Sequence, residues 1–201
     1  GDYDAAERAI RRSASEPGPF RLQSIADIGF VNYSRRRYRE AAAWYDSAVA
    51  INGAIPSNLV FRSRARLALA DTSGAVEDAD AAIRLGSAST RIRLLATRAY
   101  FDAVTGDVTG ARSRLEPVIA SLAPPGQPVS VRIGWEIASA LVAIGDTDRA
   151  IGILERVRPR GAWFWSYLVF RDFDPIRADP RFQRLYAQAR PVGAPPLPFE
   201  R

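Results

Sequence analysis

The residues whose chemistry could support catalysis or metal binding are few, and they are acidic. The densest group is Glu77-Asp78-Ala79-Asp80, in which residues 77 and 80 lie about one helical turn apart. Two carboxylates on one helix face could bind a cation or act as an acid–base pair. Acids early in a helix also complement its dipole, so we interpret this group as solvated helix surface. Asp146-Thr147-Asp148 lacks the Gly and distant Glu of a calcium loop, and we interpret it as a turn and helix cap.

Composition removes most of the usual catalytic groups. The chain of 201 residues contains no His and no Cys, and all 28 of its basic residues are Arg. Imidazole bases, thiolate nucleophiles and Lys amines are therefore missing, as are disulfides and Cys-bound metals. No Gly-rich phosphate loop occurs in the sequence. We expect a protein that is not an enzyme and that needs no cofactor or metal.

The strongest local charge is the run Arg35-Arg36-Arg37-Tyr38-Arg39, in a chain with a formal charge of +6. Arginines with an interleaved aromatic ring can hold phosphates or nucleic acid, and such binding falls steeply as salt rises. A single patch supplies little affinity at physiological salt, and we therefore interpret the run as a solvated turn. Nucleic-acid or phosphate-ligand binding through the Arg-rich patches therefore stands as the alternative function.

A repeated stretch forms the framework that must position these residues. Its clearest copies have a Gly-Asp turn, at Gly106-Asp107 and Gly145-Asp146, between two apolar helical runs. The Gly ends one helix, and the Asp stands near the N-terminus of the next. An alanine opens each second helix, with spacings of 35, 34, 36 and 39 residues: Ala6, Ala41, Ala75, Ala111 and Ala150. A small residue precedes this alanine by twelve positions in each complete unit: Gly29, Ser63, Ala99 and Ala138.

These residues resemble the tetratricopeptide repeat (TPR), a helix–turn–helix unit of about 34 residues. The best match runs from 25 to 53, with Ile28-Gly29 in the first helix and Ala41, Tyr45 and Ala48 in the second. Sel1-like and other helical-hairpin repeats remain a minor alternative. The resemblance implies an all-α, right-handed superhelical solenoid of TPR-like repeats with a C-terminal capping helix. The missing initiator Met predicts a fragment or processed form of a longer chain. The ending from Asp174-Pro175 to Asp179-Pro180-Arg181-Phe182 resembles the C-terminal closure of bacterial repeat arrays, which implies a bacterial protein.

The repeat pattern also predicts the domain organisation. We expect a TPR-like array over residues 1–158, an aromatic C-terminal cap over 161–190 and a Pro-rich tail over 191–201. The array comprises a half repeat at 1–18 and four repeats at about 20–53, 56–87, 89–123 and 128–160.

The predicted cap combines an aromatic cluster with a last helix. The cluster is expected to cover the last apolar face of the array: Trp163, Phe164, Trp165, Tyr167, Phe170 and Phe173. Asp179-Pro180 predicts an N-cap followed by Pro at the first helical position. The apolar face of the last helix is predicted from Phe182, Leu185, Tyr186 and Ala189.

The resemblance also implies a binding groove, because the first helices of such repeats line a concave face. The ligand-facing positions of the family, carried onto this chain, fall on Phe30, Tyr33, Arg64, Arg93, Tyr100, Arg132 and Trp135. Aromatic anchors among arginines suit an extended or helical peptide that carries apolar and acidic residues. We therefore predict a protein–protein interaction scaffold or regulatory module, although several of these side chains could instead pack between helices.

The half repeat at the start of the chain predicts a further contact. Its helix presents Ala6 and Ile10 with no first helix to cover them, and an apolar face of this kind rarely stays in water. We expect upstream sequence or a second copy of the chain to cover it, which allows a homo-oligomer. No stretch reaches the roughly 20 apolar residues of a membrane span. No signal peptide is visible, and the compartment stays open between cytoplasm and periplasm.

Overall fold

Helices make up most of the chain, as the repeat pattern predicts. The computed structural model describes residues 3–16, 21–122, 124, 126–158 and 161–194. Within these ranges there is no β-strand, and Val129 and Val157 form one isolated parallel bridge. The predicted all-α class is therefore confirmed. The chain divides into two compact units, Gly1–Leu85 with Val192–Arg201, and Gly86–Pro191.

In the first unit, each helix packs against the next one along the chain. The helices are α1 (Tyr3–Ser15), α2 (Arg21–Ser34), α3 (Tyr38–Asn52), α4 (Pro56–Ala68) and α5 (Thr72–Leu85). An aromatic cluster forms part of the core between α2, α3 and α4. Phe61 stacks on Tyr45 with ring centroids 5.7 Å apart and meets Tyr33 at 6.4 Å.

The second unit is centred on α8, which packs against α6 and α9 and against the segment that follows α10. Its elements are a 3₁₀ turn (Ala88–Thr90), α6 (Arg91–Val104), α7 (Val108–Ala120), α8 (Val131–Ala143), α9 (Thr147–Arg156), α10 (Ala162–Leu168), a second 3₁₀ turn (Arg171–Ile176) and α11 (Pro180–Ala189). We call residues 170–176 the C-terminal segment. The last helix, α11, packs on α9 and α10 and closes this unit.

One turn geometry joins the two helices of each of the four hairpins. The residue after the turn donates its amide N–H to a carbonyl five residues earlier, over 2.8–3.0 Å: Arg37 to Asn32, Asp71 to Arg66, Asp107 to Asp102 and Asp146 to Leu141. The residue before it has positive φ: Arg36, Ala70, Gly106 and Gly145. This pattern is the Schellman motif, which satisfies the last carbonyls of a helix. The same Schellman motif therefore recurs in all four hairpins.

An aspartate caps the second helix in three of these hairpins. Its side chain accepts a hydrogen bond from the backbone N–H three residues later: Asp71 from Gly74, Asp107 from Gly110 and Asp146 from Arg149. This geometry satisfies one of the free donors at a helix N-terminus. Arg37 takes the position in the first hairpin and makes no such bond.

Ala70→Gly should stabilise the first unit by about 0.5–1 kcal/mol. Ala70 is exposed and has φ of 66°, a conformation that costs a residue with a Cβ atom about 1–2 kcal/mol and glycine almost nothing. Urea unfolding of the full chain measures the effect. The matched control is Ala43→Gly, at an exposed position inside α3, which should lose about 0.5–1 kcal/mol. Destabilisation by both variants would contradict the strain assigned to Ala70.

The small residue of the repeat allows the two helices of the first hairpin to approach closely. A Cβ atom added to Gly29 on α2 would lie 2.9 Å from Cζ of Tyr45 on α3. Tyr45 is buried and its ring stacks on Phe61, so it has little room to move. In the next hairpin the larger Ser63 occupies the small position and Ala79 replaces the tyrosine, and both are buried. From the first hairpin to the second, the side chain at the small position becomes larger and the side chain facing it becomes smaller.

Gly29→Ala should destabilise the protein by about 1–2 kcal/mol, because the overpacking against Tyr45 outweighs the better helix propensity of alanine. Gly152→Ala on α9 is the matched control, since a Cβ atom there would meet no atom within 4 Å. This second change should stabilise by about 0.5–1 kcal/mol through propensity alone. Chemical denaturation of both variants checks the opposite signs. A gain in stability for Gly29→Ala would show that the helices are not in close contact there.

The acidic group at residues 77–80 includes one buried carboxylate, which corrects the prediction of a solvated helix surface. Asp78 accepts hydrogen bonds from Nε and Nη2 of Arg62 at 2.8 and 2.7 Å. Nη1 of Arg66 lies 3.0 Å from the same carboxylate, and Arg62 also donates to Asp46 at 2.9 Å. The hydrogen bond to Asp78 is the main reason that the pKa of Arg62 is raised. These ion pairs tie α3, α4 and α5 together.

The aromatic cap forms as predicted at five of its six positions. Buried are Phe164, Trp165, Tyr167, Phe170 and Phe173. For Trp163 the prediction is wrong, because 63% of this residue is exposed. On α11, Phe182, Leu185 and Ala189 are buried as predicted, and Tyr186 is half-buried.

Asp179 caps α11 as its sequence predicts. Its carboxylate accepts a hydrogen bond from the backbone N–H of Arg181 at 2.8 Å, and Pro180 occupies the first helical position. The Arg181 side chain is the main cause of a pKa of about 2 for Asp179. The cap therefore stays charged well below neutral pH.

The helix of the half repeat packs on its neighbour within the first unit. Ser24 of α2 donates a hydrogen bond to Ser13 of α1 at 3.0 Å, and Ile10 is half-buried. The side chain of Ala6 lies outside the described residues, as do residues 195–201 of the predicted tail. A homo-oligomer through this helix stays a prediction.

Candidate functional site

Three of the predicted groove residues lie in the first unit, and two of them are inaccessible to solvent. Tyr33 is buried against the rings of Tyr38 and Phe61, at 5.4 and 6.4 Å. Arg64 is only 1% exposed. Phe30 is half-buried, with its ring at 5.4 Å from that of Phe61 in an edge contact. A partner could therefore touch only Phe30 among these three without a rearrangement.

In the second unit, Arg93 belongs to a buried polar group between α6 and α8. Its Nη1 lies 3.4 Å from Oε1 of Glu136, and the Thr97 hydroxyl donates to Oε2 of Glu136 at 2.6 Å. Glu136 is 0% exposed. Burial of a carboxylate is tolerated when cationic and hydrogen-bonding partners surround it. Arg93 thus neutralises a charge inside the protein rather than offering its charge at the surface.

Tyr100 and Trp135 both bind a carboxylate that comes from the C-terminal segment. The Tyr100 hydroxyl donates to Oδ1 of Asp172 at 3.1 Å, and the Trp135 indole N–H donates to Oδ2 at 3.3 Å. The Phe170 ring meets the Trp135 ring edge-on at 5.3 Å. Asp172 is 5% exposed, and Phe173 is 0% exposed. An acidic and aromatic segment of the chain itself therefore occupies this face of α6 and α8.

Arg132 differs from the other three because it is exposed. Its side chain hydrogen-bonds Tyr167, which is buried. Burial raises the pKa of Tyr167, and the charge of Arg132 opposes that rise. On the same helix as Tyr167, the exposed Trp163 places its ring 6.0 Å away. Arg132 and Trp163 are thus both exposed, and each contacts the buried Tyr167.

Two carboxylates that were not predicted from the sequence, Glu136 and Asp172, organise these contacts. Glu136 is the only acid in the largely apolar helix α8, a pattern that indicates a buried charge. Asp172 stands between Phe170 and Phe173, whose burial brings it inside. Both signals are visible in the sequence, yet neither shows which side chains contact the carboxylate.

The Arg35–Arg39 run contacts an acid from α1. Arg35 and Arg37 lie 3.3 and 3.8 Å from Oε2 of Glu7, and Arg11 binds the other oxygen of the same carboxylate at 2.6 Å. Glu7 is buried by these contacts. A single carboxylate offsets at most one of the four positive charges of this run, so phosphate or nucleic-acid binding stays the alternative function.

A cleft of about 410 Å³ lies beside α9, with Ile119, Leu141 and Ile153 among its walls. The two arginines at its edge are already engaged. Arg149 donates to Glu116 at 2.8 and 3.0 Å, and this contact is the main cause of a lowered pKa for Glu116. Arg156 donates to backbone carbonyls of residues 124 and 127. The cleft therefore offers apolar walls without a dedicated charge for a ligand.

Among the described residues, no group of three or more His, Cys, Asp or Glu side chains could hold a metal ion. None of the helices in these ranges is both long and apolar enough to cross a membrane. No protein-family model matches the chain, and no curated protein matches it. Its function is therefore inferred from its own residues and their geometry.

Proposed function

We propose that this chain is a protein–protein interaction module that binds a partner segment carrying acidic and apolar residues. The observation that carries the proposal is the fourfold recurrence of one helical hairpin with the same Schellman turn. Repeated hairpins display successive helix faces to a partner, and binding is their usual use. We further propose that the hairpins are TPR-like, on the alanine spacing and on the close approach of Gly29 to Tyr45. The right-handed superhelix stays a prediction.

The partner chemistry is supported by an interaction inside the chain. Tyr100 and Trp135 combine hydrogen bonds to a carboxylate with a ring contact to Phe170. The aromatic and cationic residue types of the predicted groove therefore suit a segment with an acid near an aromatic side chain. Such residues are also the commonest anchors of protein interfaces.

Displacement of the C-terminal segment by a partner is energetically unfavourable. Phe170, Phe173 and Ile176 are buried, and each contributes about 1.5–3 kcal/mol through burial. Release of all three would cost upward of about 5 kcal/mol, which weakens a competing ligand by more than roughly 10³-fold. We infer that partners bind beside this segment and leave it in place.

Selection of peptides on the immobilised full chain tests the proposed function. A random 12-residue phage library should yield sequences enriched in Asp or Glu together with aromatic or aliphatic residues. Fluorescein-labelled copies should bind saturably at 150 mM salt. A labelled single-stranded RNA serves as the comparison. If only the RNA binds, with an affinity that falls steeply as salt rises, the alternative function is correct.

A further inference from the structure

The exposed indole of Trp163 is the feature of the cap that packing does not explain. It is 63% exposed, whereas the five other aromatic residues of the cluster are at most 3% exposed. Its ring makes an edge contact with the ring of Tyr167, at 6.0 Å and 70°. Trp is the residue most enriched at the energetic centres of interfaces, where its large apolar surface becomes buried.

Arg132 supplies a positive charge that contacts the same tyrosine, Tyr167. It is exposed, and among the described residues no carboxylate oxygen lies within 4.0 Å of its guanidinium. Arg93, by contrast, is buried and faces Glu136 at 3.4 Å. Arg132 is held instead by a neutral group, the Tyr167 hydroxyl, which leaves its charge available. An exposed guanidinium of this kind can bind a carboxylate with two parallel hydrogen bonds.

We propose that Trp163 and Arg132, which both contact Tyr167, form the docking surface of the second unit for an acidic, aromatic-containing peptide segment. The inference rests on the proposed function and names its site. Charge complementarity selects an acid for Arg132, and the exposed indole selects an apolar side chain. The C-terminal segment gives an example of an aromatic residue and an acid two positions apart. Phe170 contacts the ring of Trp135, and Asp172 accepts a hydrogen bond from the indole N–H of Trp135.

Two variants test this surface with the labelled peptides selected on the full chain. Trp163→Ala should weaken binding by about 10–30-fold, because an anchor ring is removed. Arg132→Gln should weaken it by about 5–10-fold, because a charge-assisted contact becomes neutral. Trp163→Phe should recover binding to within about threefold of the wild type. Arg184→Gln, an exposed arginine on α11, is the matched control and should bind like the wild type. Circular dichroism melting confirms that each variant is folded.

The outcomes separate this proposal from the proposed function. If selected peptides bind the wild type but bind Trp163→Ala and Arg132→Gln within twofold as tightly, the surface is wrong and the interaction function stands. If the library yields no saturable peptide, both are wrong. Self-association that Trp163→Ala abolishes, with no peptide binding, would show that a second copy occupies the surface instead.

Discussion

Glu136→Ala should lower the free energy of unfolding by about 3–5 kcal/mol, the range measured when one partner of a buried ion pair is removed. Glu136 is 0% exposed, and Arg93 and Thr97 both contact its carboxylate. The substitution leaves the Arg93 guanidinium buried beside a cavity. Urea unfolding of the purified full chain, followed by circular dichroism, measures the loss.

Two companion variants identify the origin of this loss. Glu77→Ala removes an exposed acid from α5 and should change stability by no more than about 0.5 kcal/mol. The double variant Arg93→Met/Glu136→Leu replaces both charges with apolar groups and should recover most of the loss, since such replacements are often neutral. A loss for Glu136→Ala no larger than that for Glu77→Ala would contradict the buried ion pair.

Phe173→Ala is expected to cost about 3–5 kcal/mol, as for other large aromatic residues removed from a core. Phe173 is 0% exposed, and its ring packs against that of Phe182 with centroids 5.6 Å apart. It follows Asp172 directly, so its burial also holds that carboxylate against Tyr100 and Trp135. Its removal should loosen the C-terminal segment as well as lower stability. Thermal and urea unfolding provide the measurement.

Trp163→Ala is the control for this second prediction, because it deletes a larger aromatic ring from the same cap at an exposed position. It should change stability by no more than about 0.5–1 kcal/mol. An equal loss of stability for Phe173→Ala and Trp163→Ala would contradict the buried position of Phe173 and the exposed position of Trp163.

The helices and turns were predictable because their signals are local. The Gly-Asp pairs at 106–107 and 145–146 predict a helix end and a cap, and the structure has a Schellman turn with an Asp cap at both. In the first two hairpins, Arg36 and Ala70 adopt the same positive φ without glycine. The alanine spacing was the signal there, because neither turn contains the glycine that marks a helix end.

The contacts of the candidate site were not predictable, because they join residues distant in sequence. Asp172 meets Trp135 and Tyr100 across 37 and 72 residues. The repeat pattern assigned Tyr100 and Trp135 to a groove for a partner, and it gave no sign that the chain itself supplies the segment that contacts them. Likewise, the aromatic run at 163–170 predicts a core without indicating that Trp163 points away from it.

Hydrogen exchange of the C-terminal segment tests most directly the central claim, that this segment is a fixed part of the second unit. The proposed docking at Trp163 and Arg132 depends on that claim. The Phe173 amide donates to the Phe170 carbonyl at 3.2 Å, within the buried stretch. Mass spectrometry of the full chain should show that peptides covering 170–177 exchange with an opening free energy within about 1 kcal/mol of that of α8. Exchange at least about 100-fold faster than that of α8 would show that the segment opens on its own, and would contradict the account.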